Sequence, residues 1–149
     1  MSQTLFHLAF PVTDIAQTKA YYVDGLGCIP GRENHHALIL NLYGHQLVAH
    51  LTKEPLTPQP TIYPRHFGLI FTQEGDWQDL LKRAQHQQLL FREETKNRFV
   101  GSALEHRTFF LEDPFYNLME FKYYRHPDAI FGSYEHTQIG DRTSEIRNS

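Results

Sequence analysis

The sequence has a single cysteine, Cys28, among 149 residues. No intrachain disulfide can form, and a reducing compartment is the expected setting. No apolar run approaches the roughly 20 residues that cross a bilayer. The opening residues, MSQTLFHLAF, lack the basic start and long apolar stretch of a secretory signal. Positive charge is not in excess either. The formal net charge is -3 and the pI about 6.3, which leaves no basic surface for nucleic acid or anionic lipid. These absences predict a soluble, cytoplasmic protein with no nucleic-acid and no membrane partner. What remains is ample for a packed interior: 40% hydrophobic and 13% aromatic residues, enough for one domain or two small fused modules.

Two stretches repeat. HLAFPVT runs from His7 to Thr13 and HFGLIFT from His66 to Thr72, each opening on histidine and closing on threonine, and such a repeat indicates one structural unit used twice. In the first unit, Leu5 to Val12 reads as a strand, and Thr13 and Asp14 offer an N-cap for a helix to about Gly25. Ile15, Thr18, Tyr22 and Leu26 share one helical face. A further strand fits between Cys28 and Asn34, and two more, His36 to Tyr43 and Gln46 to Thr52, meet in a hairpin at Gly44. Prolines at 55, 58, 60 and 64 make an extended, semi-rigid linker. The second unit repeats the plan, with a strand over Arg65 to Thr72 and a helix from Glu74 to about Gln88. Strands follow at Leu89 to Glu94, Thr108 to Leu111 and Leu118 to Tyr124, with a loop over Asn97 to Leu104. The expected organisation is one domain over residues 1–135, with module one at 1–53, the linker at 54–64 and module two at 65–125. A flexible or docking tail is expected at 136–149.

Ten histidines are the compositional oddity, and four of them, His7, His50, His66 and His106, adjoin strand-like segments. Two histidines and a carboxylate that leave coordination positions open suit non-haem iron, manganese or catalytic zinc. His7 and His66 hold equivalent places in the repeat. In NLMEFKYY, Glu120 is a charge among apolar neighbours within a strand, and a carboxylate so placed needs a partner. The alternatives are ordinary ones: a strand histidine is often only a hydrogen-bonded core residue, and Glu120 could pair with an arginine. His50 and His106 are candidates for acid-base work near neutrality or for plain structural roles. Arg107 could hold an anionic substrate group, or pair with Glu105 or Glu112.

The pieces FHLAFPVTDIAQTKAYYVDGLGC, RHFGLIF and FFLEDPFYNLMEF resemble the vicinal oxygen chelate superfamily, which includes glyoxalases, extradiol dioxygenases, fosfomycin-resistance enzymes and bleomycin-binding proteins. The resemblance spans about Leu5 to Tyr124. It implies an α+β fold in which two βαβββ modules in tandem form one curled mixed sheet around a metal cleft. It also implies metal ligands at His7, His66 and Glu120. Extradiol dioxygenases carry a tyrosine where Phe110 stands and a turn glycine where Tyr116 stands. Tyr116 therefore joins His50 and His106 as a candidate catalytic residue. The resemblance implies a divalent ion, with Fe(II) or Mn(II) favoured and Zn or Ni as alternatives, a small-molecule substrate chelated through adjacent oxygens, and a homodimer. Among activities a dioxygenase is favoured, with a glyoxalase-like lyase or isomerase next. A metal-free binder of the bleomycin-resistance kind is the third reading, and intact ligand positions weigh against it.

Overall fold

A computed structural model of the chain describes residues 2–140. Strand β1 (His7–Val12) leads into helix α1 (Ile15–Lys19), which widens into π-type turns over Ala20–Gly25. Asp14 caps α1 as the sequence predicts, its carboxylate accepting from the Gln17 amide at 2.7 Å and satisfying a donor that the first helical turn leaves free. Strands β2 (Ile29–Glu33), β3 (Ala37–Leu42) and β4 (His45–Leu51) complete module one. Module two follows with β5 (Phe67–Phe71), α2 (Glu74–His86), β6 (Phe91–Arg98), β7 (His106–Glu112) and β8 (Leu118–Tyr124). The repeat is therefore structural, and each unit is βαβββ.

The strands form two four-stranded mixed sheets, ordered β1-β4-β3-β2 and β5-β8-β7-β6. The first and last strands of each unit pair in parallel, and the other pairings are antiparallel. The single curled sheet of the expectation is thus divided between the modules. A second difference lies in β6, which reaches Arg98 and takes in Asn97, so the expected loop starts later. FREETKNR has no apolar alternation to announce a strand. It is held by pairing with β7 across two irregularities in register.

The modules share one core. Trp77 of α2 is fully buried and donates its indole N–H to the Phe121 carbonyl at 2.8 Å, fixing α2 on the second sheet. Tyr22, also fully buried, crosses between modules and donates its hydroxyl to Asp113 Oδ2 at 2.6 Å. Arg83 of α2 donates to the carbonyls of Gly25 and Asp24, at 2.9 Å each. The rings of Phe10 and Phe67 meet at 5.8 Å. Each large side chain buried in this way contributes roughly 1.5–3 kcal/mol, which is why the repeat's apolar positions, rather than its histidines, face inward. Among the described residues no helix is long and apolar enough to cross a membrane.

Candidate metal centre

The candidate site is built on one face of the second sheet. Residues alternate between faces along a strand, and cross-strand partners share a face. β8 places Glu120 opposite Phe110, Lys122 opposite Thr108 and Tyr124 opposite His106 on β7, and β6 adds Arg98 opposite His106. On the other flank Gly68 of β5 lies opposite Glu120. A Cβ on Gly68 would land on the Glu120 carbonyl oxygen, so only glycine lets β5 lie this close. His66 precedes β5 by one residue and shares the face of Gly68, which brings it to Glu120.

The two side chains meet directly. His66 Nε2 is 3.2 Å from Glu120 Oε1, and each group is held from behind. His66 Nδ1–H donates to the Ile62 carbonyl at 2.8 Å, while Thr108 donates its hydroxyl to Glu120 Oε2 at 2.6 Å. The ring of Phe110 stands edge-on to the imidazole, 5.0 Å between centroids. In this arrangement the neighbouring Glu120 carboxylate favours the protonated ring of His66. Its pKa is raised, chiefly by the hydrogen bond to Glu120, against a smaller opposing effect of burial. Burial pushes the Glu120 carboxyl up, but the bond from His66, the charge of Lys122 and the Thr108 hydroxyl together outweigh it and hold the carboxyl below its ordinary value. Both groups line a cavity of about 610 Å³ whose wall is completed by residues 129–134 and 136–140.

The donor set fits a divalent ion in part. One imidazole nitrogen and one carboxylate oxygen face a common cavity, each oriented by a further hydrogen bond, as metal-ligating side chains characteristically are. His7 is not gathered with them. It is exposed on β1, where its Nδ1 lies 2.7 Å from Gln46 Oε1, and among the described residues no three histidine, cysteine or acidic side chains cluster closely enough to hold a metal. The apolar residues of β1, Phe10 and Val12, take the inward face, which turns His7 to the opposite one.

The remaining candidates separate. His50 is exposed on β4, between Pro11 and Ala37 in register, and does not line the cavity of His66 and Glu120. Tyr116 adopts φ 71°, the left-handed backbone that a turn glycine would favour, and lines a different cavity of about 490 Å³ that shares His66 at its edge. His106 does line the first cavity. It is 5% exposed and donates Nδ1–H to the Leu104 carbonyl at 2.9 Å, leaving Nε2 as an acceptor; burial pushes its pKa down. Arg107 bonds to neither Glu105 nor Glu112: it donates to Glu74 at 2.8 Å and lies over the Trp77 ring. Sequence reasoning passed over Thr108 and Arg98. The signal for Thr108 was its place between His106 and Phe110, two residues from each, on a strand.

Residues 4–121 match the Glyoxalase/Bleomycin resistance protein/Dioxygenase superfamily. The structure is similar to that of a glyoxalase/bleomycin resistance protein/dioxygenase from Alicyclobacillus acidocaldarius, at 38% identity and TM-score 0.81, over 86% of this chain and 96% of that one. The fold is also that of the fosfomycin resistance protein FosX from Listeria monocytogenes (15% identity, TM-score 0.64, 87% and 99% covered) and of FosX from Mesorhizobium loti (12%, 0.63, 87% and 99%). No curated protein sequence matches. With the duplicated βαβββ plan and a family match over most of its length, the chain belongs to the glyoxalase/bleomycin resistance protein/dioxygenase superfamily.

Proposed function

We propose that the chain is a divalent-metal-dependent enzyme acting on a small molecule that presents adjacent oxygens. The observation that carries this reading is the pair His66 and Glu120, 3.2 Å apart on a cavity wall and each oriented from behind. Their assigned role is to hold the ion. The third protein ligand in this proposal is His7 of a second copy of the chain, because His7 faces outward within one chain, and the protein would then work as a homodimer. A bound divalent ion would supply Lewis acidity toward the chelated oxygens and, as iron or manganese, a site for dioxygen. Thr108 keeps Glu120 in its orientation, the Ile62 carbonyl holds His66 through Nδ1, and Phe110 sets an apolar ring beside the imidazole.

Oxygenase chemistry remains the first reading of the reaction. A lyase or isomerase is the second, and two observations favour it. Phe110 brings no hydroxyl to His66, and His106 presents an unprotonated Nε2 in the same cavity, suited to taking a proton from a substrate carbon. Elemental analysis of protein purified without chelators should find one divalent ion per chain, with the content falling in His66→Ala and His7→Ala. No stoichiometric ion in wild type would end the metalloenzyme reading. Oxygen uptake after anaerobic iron loading separates the two reactions, and no uptake across a catechol panel leaves the lyase.

A further inference from the structure

We infer that the cavity carrying Tyr116 is a second ligand site, one that takes a flat, ring-bearing carboxylate held by Arg65 and Tyr116. Its volume of about 490 Å³ falls within the range of small-molecule sites, about 300–1,000 Å³. The lining comes from both modules and from the linker that joins them. Phe10, Phe67, Phe115 and Tyr116 supply aromatic rings, with Pro11 and Pro64 beside them. The rings of Phe10 and Phe67 are tilted by 35°. Such walls favour a flat apolar body, because tilted and offset ring contacts add to the area buried. Among the described residues the lining holds one permanent cation, Arg65, and no carboxylate. Arg65 is exposed, and its planar guanidinium fork matches the two oxygens of a carboxylate.

The backbone at Tyr116 is the second observation. Its φ of 71° strains a tyrosine where glycine would be at ease. Asp113 holds it there. Asp113 Oδ1 accepts from the amides of Phe115 and Asn117, at 2.8 Å each, and the Asp113 carbonyl accepts from the Tyr116 amide at 3.2 Å. Asn117 in turn donates to the Pro11 carbonyl at 3.0 Å, which ties the turn to β1. The ring on this turn is 43% exposed, so burial in the core does not offset the strain. Strained backbone that its surroundings over-determine collects at ligand sites, and here it sets an aromatic side chain on a cavity wall. The linker side is fixed as well. Gln59 accepts from the Arg65 amide at 3.1 Å and donates to the Arg65 carbonyl at 3.0 Å. Walls ordered before binding lower what the ligand must spend on ordering them.

Calorimetric titration of the full chain in EDTA with 2-naphthoate, neutral 2-naphthamide and ring-free acetate tests this. 2-Naphthoate should bind about tenfold or more tightly than either. Arg65→Met and Tyr116→Gly should each weaken its binding by about tenfold. Arg65 is exposed and glycine suits the φ of residue 116, so both variants should keep the wild-type Tm or exceed it. 2-Naphthamide binding as tightly as 2-naphthoate, or 2-naphthoate affinity within about twofold of wild type in either variant, would overturn the inference. His66 borders both cavities, and Lys122 lines only the one beside Glu120. Lys122→Met should therefore leave 2-naphthoate affinity unchanged. Loss in Lys122→Met with none in Arg65→Met would seat the ligand beside Glu120 and overturn the inference too. Because EDTA removes any divalent ion, the outcome does not depend on the metal reading.

Discussion

Thr108→Val isolates one hydrogen bond and asks whether it matters for metal. Thr108 is 1% exposed, and its hydroxyl donates to Glu120 Oε2 at 2.6 Å. Valine keeps the shape and removes the donor. A hydrogen bond to a charged group is worth about 1.5–3 kcal/mol, which at about 1.4 kcal/mol per factor of ten is roughly a 10- to 150-fold effect on any equilibrium requiring that carboxylate pose. Loss of a group that orients a metal ligand characteristically weakens the metal by about 10- to 100-fold, and the two estimates agree. The assay is competition for Mn(II) or Zn(II) against a chelating dye at fixed pH, with Thr108→Ser as the variant that keeps the hydroxyl. Thr108→Val should lose affinity within that range and Thr108→Ser should stay near wild type. The metal-free protein should also lose stability, because Glu120 Oε2 is left short of a partner. A cost of about 1–3 kcal/mol lowers Tm by roughly 2–12 °C at this chain length. Metal affinity in Thr108→Val within about twofold of wild type, in a protein whose Tm has fallen, would refute the reasoning: the bond would then be structural and Glu120 not a ligand.

Three further outcomes are expected. In EDTA, the raised pKa of His66 means its pairing with Glu120 stabilises the fold fully below the ordinary histidine value of 6.5 and less as pH rises through the raised value. The lowered pKa of Glu120 makes the same contribution disappear as pH falls through the acid range. His66→Gln should therefore narrow its Tm deficit between pH 6 and pH 9, and a deficit constant across that range would contradict the ion pair. Gly68→Ala, whose Cβ meets the Glu120 carbonyl, should cost about 3 kcal/mol or more as β5 is pushed off β8, read as a shift in the urea midpoint. Cys28 is 4% exposed and burial pushes its thiol up to about 12, so Ellman's reagent should label it only on unfolding, whereas labelling of the native protein at the rate of a free thiol would show that the core is open.

The sequence by itself determined the units and their order. The repeat beginning at His7 and His66, the Asp14 cap, the Gly44 hairpin and the strand Leu118–Tyr124 all follow from local preferences: apolar period, capping oxygens and turn residues act within a few positions of themselves. Glu120 was legible for the same reason, as a charge that its own apolar neighbours made costly. Only the tertiary structure decided which of the candidates meet. The parallel pairing of β5 with β8, made close by Gly68, brings His66 to Glu120 across 54 residues of chain. His7, equivalent in the repeat, lies on the corresponding face of the first sheet, where Val48 stands opposite Ala9 as Glu120 stands opposite Gly68, so no carboxylate among the described residues meets it. His50 and Tyr116 fall elsewhere because the strand and turn that carry them face other surfaces. Thr108 and Arg98 enter the site through cross-strand register, a relation between distant segments to which no local pattern responds. Local preference specifies elements, whereas a site depends on which faces of those elements burial turns toward one another.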